Sequence, residues 1–211
     1  METIRRMGIL AIPGTFLLSG AGMLWLLAVE NAPGNFFQQV LTRESAWLGA
    51  HLLLLLGTIL LLPAALTMRS AIMDKKSGLV ATLLILIIAP TAMLLGGQYA
   101  IDFVVPLIAK VGGEATKVHA LLNLSPFVDL LFSKLPNLVF LAMMLLSFLL
   151  VWRGPLSGWQ AALIVINWFA VLLGNLVHPA FQRGAILSLA ISFIPLTIKM
   201  WQNGEKSANR G

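Results

Sequence analysis

Six stretches of this chain are apolar over about the length that a helix needs to cross a bilayer. Spanning about 30 Å of hydrocarbon takes about 20 helical residues. Backbone polar groups in lipid must be satisfied within the segment, which favours helices there. The six stretches are 7–29, 46–68, 78–99, 136–152, 159–177 and 184–200. The sequence therefore predicts an all-α integral membrane protein, a six-span transmembrane helical bundle that forms a single unit over residues 1–201.

The composition supports this class and excludes several others. Of 211 residues, 59% are hydrophobic and only 10% are charged, which is not the usage of an ordinary water-soluble domain. Cysteine is absent, and this excludes disulfides, zinc–thiolate clusters, iron–sulfur centres and covalently attached haem. The net charge of +6 lies in short flanks of the apolar stretches. This position indicates that the basic residues set the membrane topology and contact lipid headgroups. No nucleic acid is expected as a partner.

Lysine and arginine set the predicted orientation, because cytoplasmic flanks are enriched in them. With six spans and the N-terminus inside, nine of the fourteen are cytoplasmic, whereas a seventh span over 119–135 would divide them equally. The charges therefore favour six spans in a plasma (inner) membrane with both termini cytoplasmic. Residues 202–211 are predicted to be a disordered cytoplasmic tail. Three spans on either side of an outer segment suggest a 3+3 arrangement.

That outer segment, residues 100–135, lies between the third and fourth spans. Pro106 and the pair Gly112 and Gly113 interrupt it, and the apolar residues around them favour short helices on the membrane or within the bundle. Two interpretations stay open. The segment is either a packed cap over the bundle or a lid over a site.

All three histidines fall near the outer edge of the predicted bundle. Ionisable groups at membrane depth are costly and tend to mark function. His51 lies in the second span, His119 in the outer segment and His178 after the fifth span. A polar pocket opening to the outside is predicted there, and its lining residues are Thr58, Gln98, Tyr99, Asn167 and Asn175. Interhelical hydrogen bonding is the alternative role for such side chains.

One interpretation of the pocket is a site for zinc or another divalent metal. The candidate ligands are His51, His119, His178 and Asp102. Three protein ligands with an open position are typical of catalytic metals, and a metal-bound water could hydrolyse a small or lipidic ligand from the outer leaflet. Candidate acids and bases are Asp102, Glu44 and Asp129. The sequence has no HExxH spacing to support this chemistry.

A second interpretation is a b-type haem electron-transfer protein. His51 and His178 would be the axial ligands, and Arg43 and Arg183 would pair with the propionates. Pro179 argues against it, because a proline directly after His178 places that histidine at a helix end.

Two further interpretations need no cofactor. In a small-solute or proton transporter, Asp102 and the histidines would titrate near the outer mouth, and a chain of 211 residues would act as a homo-oligomer. In a structural subunit of a larger membrane complex, the histidines would contact different neighbours. These interpretations differ in whether the histidines converge.

Overall fold

The computed structural model describes residues 2–72, 74–111 and 126–208, apart from the side chains of 2, 132, 133, 175 and 204–208. Every regular element in these ranges is helical. The α-helices are α1 (Glu2–Glu30), α2 (Phe36–Thr42), α3 (Glu44–Ser70), α4 (Lys75–Asp102), α5 (Val105–Val111), α6 (Pro126–Asp129), α7 (Leu138–Arg153), α8 (Gly158–Val177) and α9 (Pro179–Ala208). A π-helical turn, Leu130–Lys134, and a 3-10 turn, Leu135–Asn137, join α6 to α7.

Several of these helices have the length and hydropathy of membrane spans. The stretches that qualify are Thr3–Glu30, Glu44–Ser70, Lys75–Val111, Leu135–Arg153 and Pro179–Asn203. A sixth apolar helix is shorter over the residues described, Gly158–Gly174. The prediction of an all-helical chain with several membrane-length helices is therefore confirmed. The sixth span and the 3+3 grouping stay predictions.

Two helix ends differ from the predicted boundaries. Helix α4 continues past position 99 and ends at Asp102, so this carboxylate lies on a helix rather than in the outer segment. Helix α9 begins at Pro179, where a missing N–H costs nothing, and continues to Ala208. The first residues of the predicted tail, 202–208, are therefore helical. Gly204 among them costs a helix only about 1 kcal/mol.

Helix α1 lies at the centre of the packing. It contacts α3 on one side and α9 on the other, while α4 packs on α3, α7 on α4, and α8 on α9. In the core, the Phe16 ring stacks on Phe193 with 5.3 Å between centroids and meets the edge of Trp168 at 5.9 Å. The first and last long helices of the chain are thus held together by aromatic packing.

The helices alternate in direction, which gives the bundle two ends. One end, called the His51 end below, holds the end of α1, the start of α3, the end of α4 and the start of α9. At the opposite end, Asp74 caps α4. The Ser77 hydroxyl and backbone N–H donate to its carboxylate at 2.6 and 2.8 Å, and these bonds hold the pKa of Asp74 below its usual value.

Candidate functional site

A buried histidine contacts a carboxylate at the His51 end. His51 lies in the second turn of α3 and is 3% exposed, and Asp102 is the last residue of α4. The distance from His51 Nε2 to Asp102 Oδ2 is 3.2 Å. On the other side of the ring, Nδ1 lies 2.8 Å from the Trp47 carbonyl oxygen. Both ring nitrogens of His51 therefore face oxygen atoms of the protein.

This arrangement fixes how many protons the pair holds when both contacts are hydrogen bonds. A carbonyl oxygen only accepts, so Nδ1 carries a hydrogen and donates to Trp47. Between Nε2 and Oδ2, either an imidazolium donates to a carboxylate or a carboxylic acid donates to a neutral imidazole. Each arrangement needs one proton in the 3.2 Å gap. With both contacts as hydrogen bonds, the His51–Asp102 pair therefore shares a single proton.

Trp47 contacts both residues of this pair. Its indole Nε1 donates to the Asp102 carbonyl oxygen at 2.7 Å, and its ring lies 4.1 Å from the His51 ring, tilted by 37°. Trp47 is 8% exposed and packs with Val29 and Val40 in a small apolar cluster. The sequence predicts Trp47 only as an interfacial tryptophan. Its spacing of four residues from His51 is the one signal that could have predicted the contact.

Some of the predicted pocket residues lie between the pair and the middle of the bundle. The edge of Tyr99 approaches the His51 ring, with 6.2 Å between centroids and 66° between planes. Tyr99 and Thr58 line a small internal cavity whose volume is about 20 Å³. Gln98 is partly buried on α4. Polar groups thus continue from His51 toward the middle of the bundle on α3 and α4.

Asn167 takes part in an interhelical hydrogen-bond network instead. Its amide Nδ2 donates to Ser192 Oγ at 2.8 Å, and its Oδ1 accepts from Ser188 Oγ at 2.7 Å. These bonds join α8 to α9. For Asn167, the structure therefore favours the structural alternative that the sequence left open.

The remaining predicted site residues have separate surroundings. Lys110 pairs with Glu44 at 2.7 Å, and Lys134 pairs with Asp129 at 2.8 Å. Arg43 is exposed at the junction of α2 and α3. His119 and the side chain of Asn175 lie outside the described residues. Among the predicted site residues that the structure describes, His51 and Asp102 are therefore the two that form a direct polar contact with each other.

His178 is not part of the pair. It ends α8, is exposed, and its Nδ1 accepts the backbone N–H of Ala180 at 3.1 Å. Among the residues that the structure describes, no group of three or more His, Asp or Glu side chains is placed to hold a metal. The predicted metal set includes His119, so as a set it stays a prediction.

Arg183 joins α9 to α1 at the same end, where the haem interpretation placed a propionate. It donates to the Met23 carbonyl oxygen at 3.0 Å and to Glu30 Oε1 at 2.8 Å. We expect Arg183→Met to lower the free energy of unfolding by about 1.5–3 kcal/mol, since charged hydrogen bonds to a largely buried arginine are lost. Unfolding in mixed detergent micelles measures this change.

Lys110→Met is the matched control for that substitution. The Lys110 side chain is 52% exposed, against 16% for Arg183, and exposed ion pairs contribute about 0–1 kcal/mol. Equal losses for the two variants would show that Arg183 contributes no more than a surface charge.

No protein-family model, curated protein or solved structure matches this chain. The chemistry of the site therefore has to be argued from its own geometry.

Proposed function

We propose that this chain is a proton transporter of the plasma membrane, and that the His51–Asp102 pair is its proton-binding site. The observation that carries the proposal is that both ring nitrogens of a buried histidine face oxygen atoms, at 2.8 and 3.2 Å. When both contacts are hydrogen bonds, the pair holds one proton more than a neutral imidazole beside a carboxylate. Histidine and carboxylate pairs within membrane bundles are typical of proton relays.

The proposed topology places the pair near the outside. Arg5, Arg6 and the Asp74 end of α4 lie at the opposite end, which the distribution of basic residues assigns to the cytoplasm. With α8 as the sixth span, both termini are cytoplasmic. Residues of the outer segment then lie on the side from which the proton enters. A chain of this size is proposed to work as a homo-oligomer.

Loss of the proton would drive the conformational step. Without it, the neutral imidazole has one N–H for two oxygen neighbours, so a lone pair faces either Asp102 Oδ2 at 3.2 Å or the Trp47 carbonyl oxygen at 2.8 Å, and two acceptors at such a distance repel each other. The end of α4 would then move away from α3, opposed by the Trp47 bond to the Asp102 carbonyl. Proton binding thus favours the closed arrangement, as a ligand favours the state that it binds best.

Metal or haem binding receives less support from the same geometry. A ligating histidine needs a free nitrogen lone pair, and both nitrogens of His51 have partners within the protein. Near-stoichiometric zinc or iron in protein purified without chelator, lost in His51→Ala, would overturn the proton proposal in favour of the predicted metal or haem site.

Nitrogen NMR of histidine-labelled protein tests proton binding directly. Between about pH 4 and 9, we expect the His51 Nε2 signal to change as the shared proton leaves. In Asp102→Asn the amide can donate to Nε2 without a shared proton, so this change should be lost. His178→Gln is the control, because His178 lies at an exposed helix end. A His51 signal that titrates identically in Asp102→Asn would contradict the pair.

Transport is tested in liposomes that contain a pH-sensitive dye. An acid pulse outside should acidify the lumen faster with the wild-type protein than with Asp102→Asn, by about 100-fold, the lower end of what a positioned proton-transfer group usually contributes. The His178→Gln variant should behave as the wild type. Equal rates for all three proteins would leave a proton-binding pair without a transport role.

A further inference from the structure

A small cavity lies within the bundle, below the His51–Asp102 pair. Its volume is about 20 Å³ for the centre of a water molecule, enough for one water, which needs roughly 10–15 Å³ on that measure. Apolar side chains form most of its wall. Its polar wall residues are Thr15, Ser19, Thr58, Tyr99 and Trp168. These come from α1, α3, α4 and α8, and apolar residues of α7 and α9 complete the wall, so the cavity lies where six helices meet.

Trp168, which lines this cavity, has a polar atom without a hydrogen-bond partner among the described residues. Trp168 is 2% exposed, and its indole Nε1 has no hydrogen-bond partner within the part of the chain that the structure describes. An unsatisfied buried donor costs about 1–3 kcal/mol. An indole N–H only donates. Whatever completes the site must therefore offer an acceptor to Trp168.

The two threonines on the wall offer the opposite chemistry. Thr15 Oγ1 donates to the Gly57 carbonyl oxygen at 2.7 Å, and Thr58 Oγ1 donates to the Leu54 carbonyl oxygen at 2.9 Å. Their hydroxyl protons are used, so only their lone pairs remain for the cavity. A molecule that accepts from Trp168 and donates to the threonines satisfies all three side chains. Water has this pattern, and it fits the volume.

We infer that the cavity binds a water molecule between Trp168, Thr15 and Thr58. This water extends the polar groups of the proton site inward, because Tyr99 both lines the cavity and meets the His51 ring edge. The water site stands on the cavity alone, whereas its role as the inward step of the proton rests on the proposed function. The inward step is the part that the pair by itself does not supply.

Proton NMR of tryptophan-labelled protein tests the water site. The chain has six tryptophans, and Trp168→Phe should remove one indole N–H signal, which assigns it. We expect that signal in the wild-type protein to show a nuclear Overhauser effect to water of the sign that a long-lived contact gives. Trp25→Phe is the control, because it removes the indole signal of a tryptophan that is 46% exposed and should leave the Trp168 signal in place. Effects to protein side chains alone would overturn the water site.

Further measurements separate this inference from the proposed function. Thr15→Val keeps the Trp168 ring and removes one acceptor, so the water effect at Trp168 should be lost or clearly weakened even where Trp168→Phe fails to fold. In liposomes, Thr15→Val should slow lumen acidification about tenfold while the His51 titration is unchanged. A water effect without any slowing would overturn the inward step only. A missing His51 titration beside an intact water effect would overturn the proposed function only.

Discussion

Replacing Gly57 by valine should destabilise the bundle more than any other single change considered for this chain. A Cβ at Gly57 would lie 2.5 Å from Ser19 Oγ, 3.0 Å from Ser19 N and 3.2 Å from the Thr15 carbonyl oxygen. Two of these three atoms belong to the backbone of α1, so no side-chain rotation makes room. The helices α1 and α3 would have to separate, which costs about 3 kcal/mol or more.

The loss is measured as the shift of the unfolding midpoint in mixed detergent micelles. Gly97→Val is the matched control, because a Cβ at Gly97 on α4 meets nothing within 4 Å. There the better helix propensity of valine should leave stability unchanged or slightly raised, by less than about 0.5 kcal/mol. Similar midpoints for the two variants would mean that α1 and α3 do not approach closely at Gly57.

Replacing Asp102 by leucine should cost about 1–3 kcal/mol, because the Nε2 atom of a buried His51 is left without a partner. His51→Leu should cost less in polar terms, since Asp102 is 24% exposed and its carboxylate can turn to solvent. The double variant His51→Leu with Asp102→Leu should lose less than the sum of the two single losses. The difference measures how strongly the two side chains are coupled.

Strictly additive losses in that cycle would mean that the two side chains are not coupled. This result would contradict a proton shared between them. The exposed pair Lys134 and Asp129, with side chains 70% and 37% exposed, provides the reference cycle. Its coupling should stay below about 1 kcal/mol. A larger coupling for the exposed pair than for His51 and Asp102 would contradict the burial argument.

The candidate site was predicted from sequence only in part. His51 and Asp102 are both candidates from the sequence, because ionisable groups at membrane depth tend to mark function, and the structure brings those two together. The sequence groups His178 with them because it falls at the same predicted depth, yet its side chain accepts the backbone N–H of Ala180 at the start of α9. Depth follows from position along a span, but the direction in which a side chain faces depends on how the helices rotate and pack.

Two tryptophans show the same limit from the other side. Trp47 lies at the start of an apolar stretch and Trp168 in the middle of one, but neither position indicates a hydrogen-bond partner. One donates to the Asp102 carbonyl, whereas the other lines an internal cavity, and its donor has no hydrogen-bond partner among the described residues. Only the neighbours that tertiary packing supplies distinguish these roles.

The sequence by itself determined that this chain forms several membrane-length helices, because apolar length and backbone satisfaction in lipid are local properties. It also predicted His51 and Asp102 as candidate site residues, because ionisable groups at membrane depth are costly. The tertiary structure alone decided that these two share a 3.2 Å contact while Asn167 joins α8 to α9. Such contacts depend on helix rotation and close approach, which glycines such as Gly57 permit but do not specify.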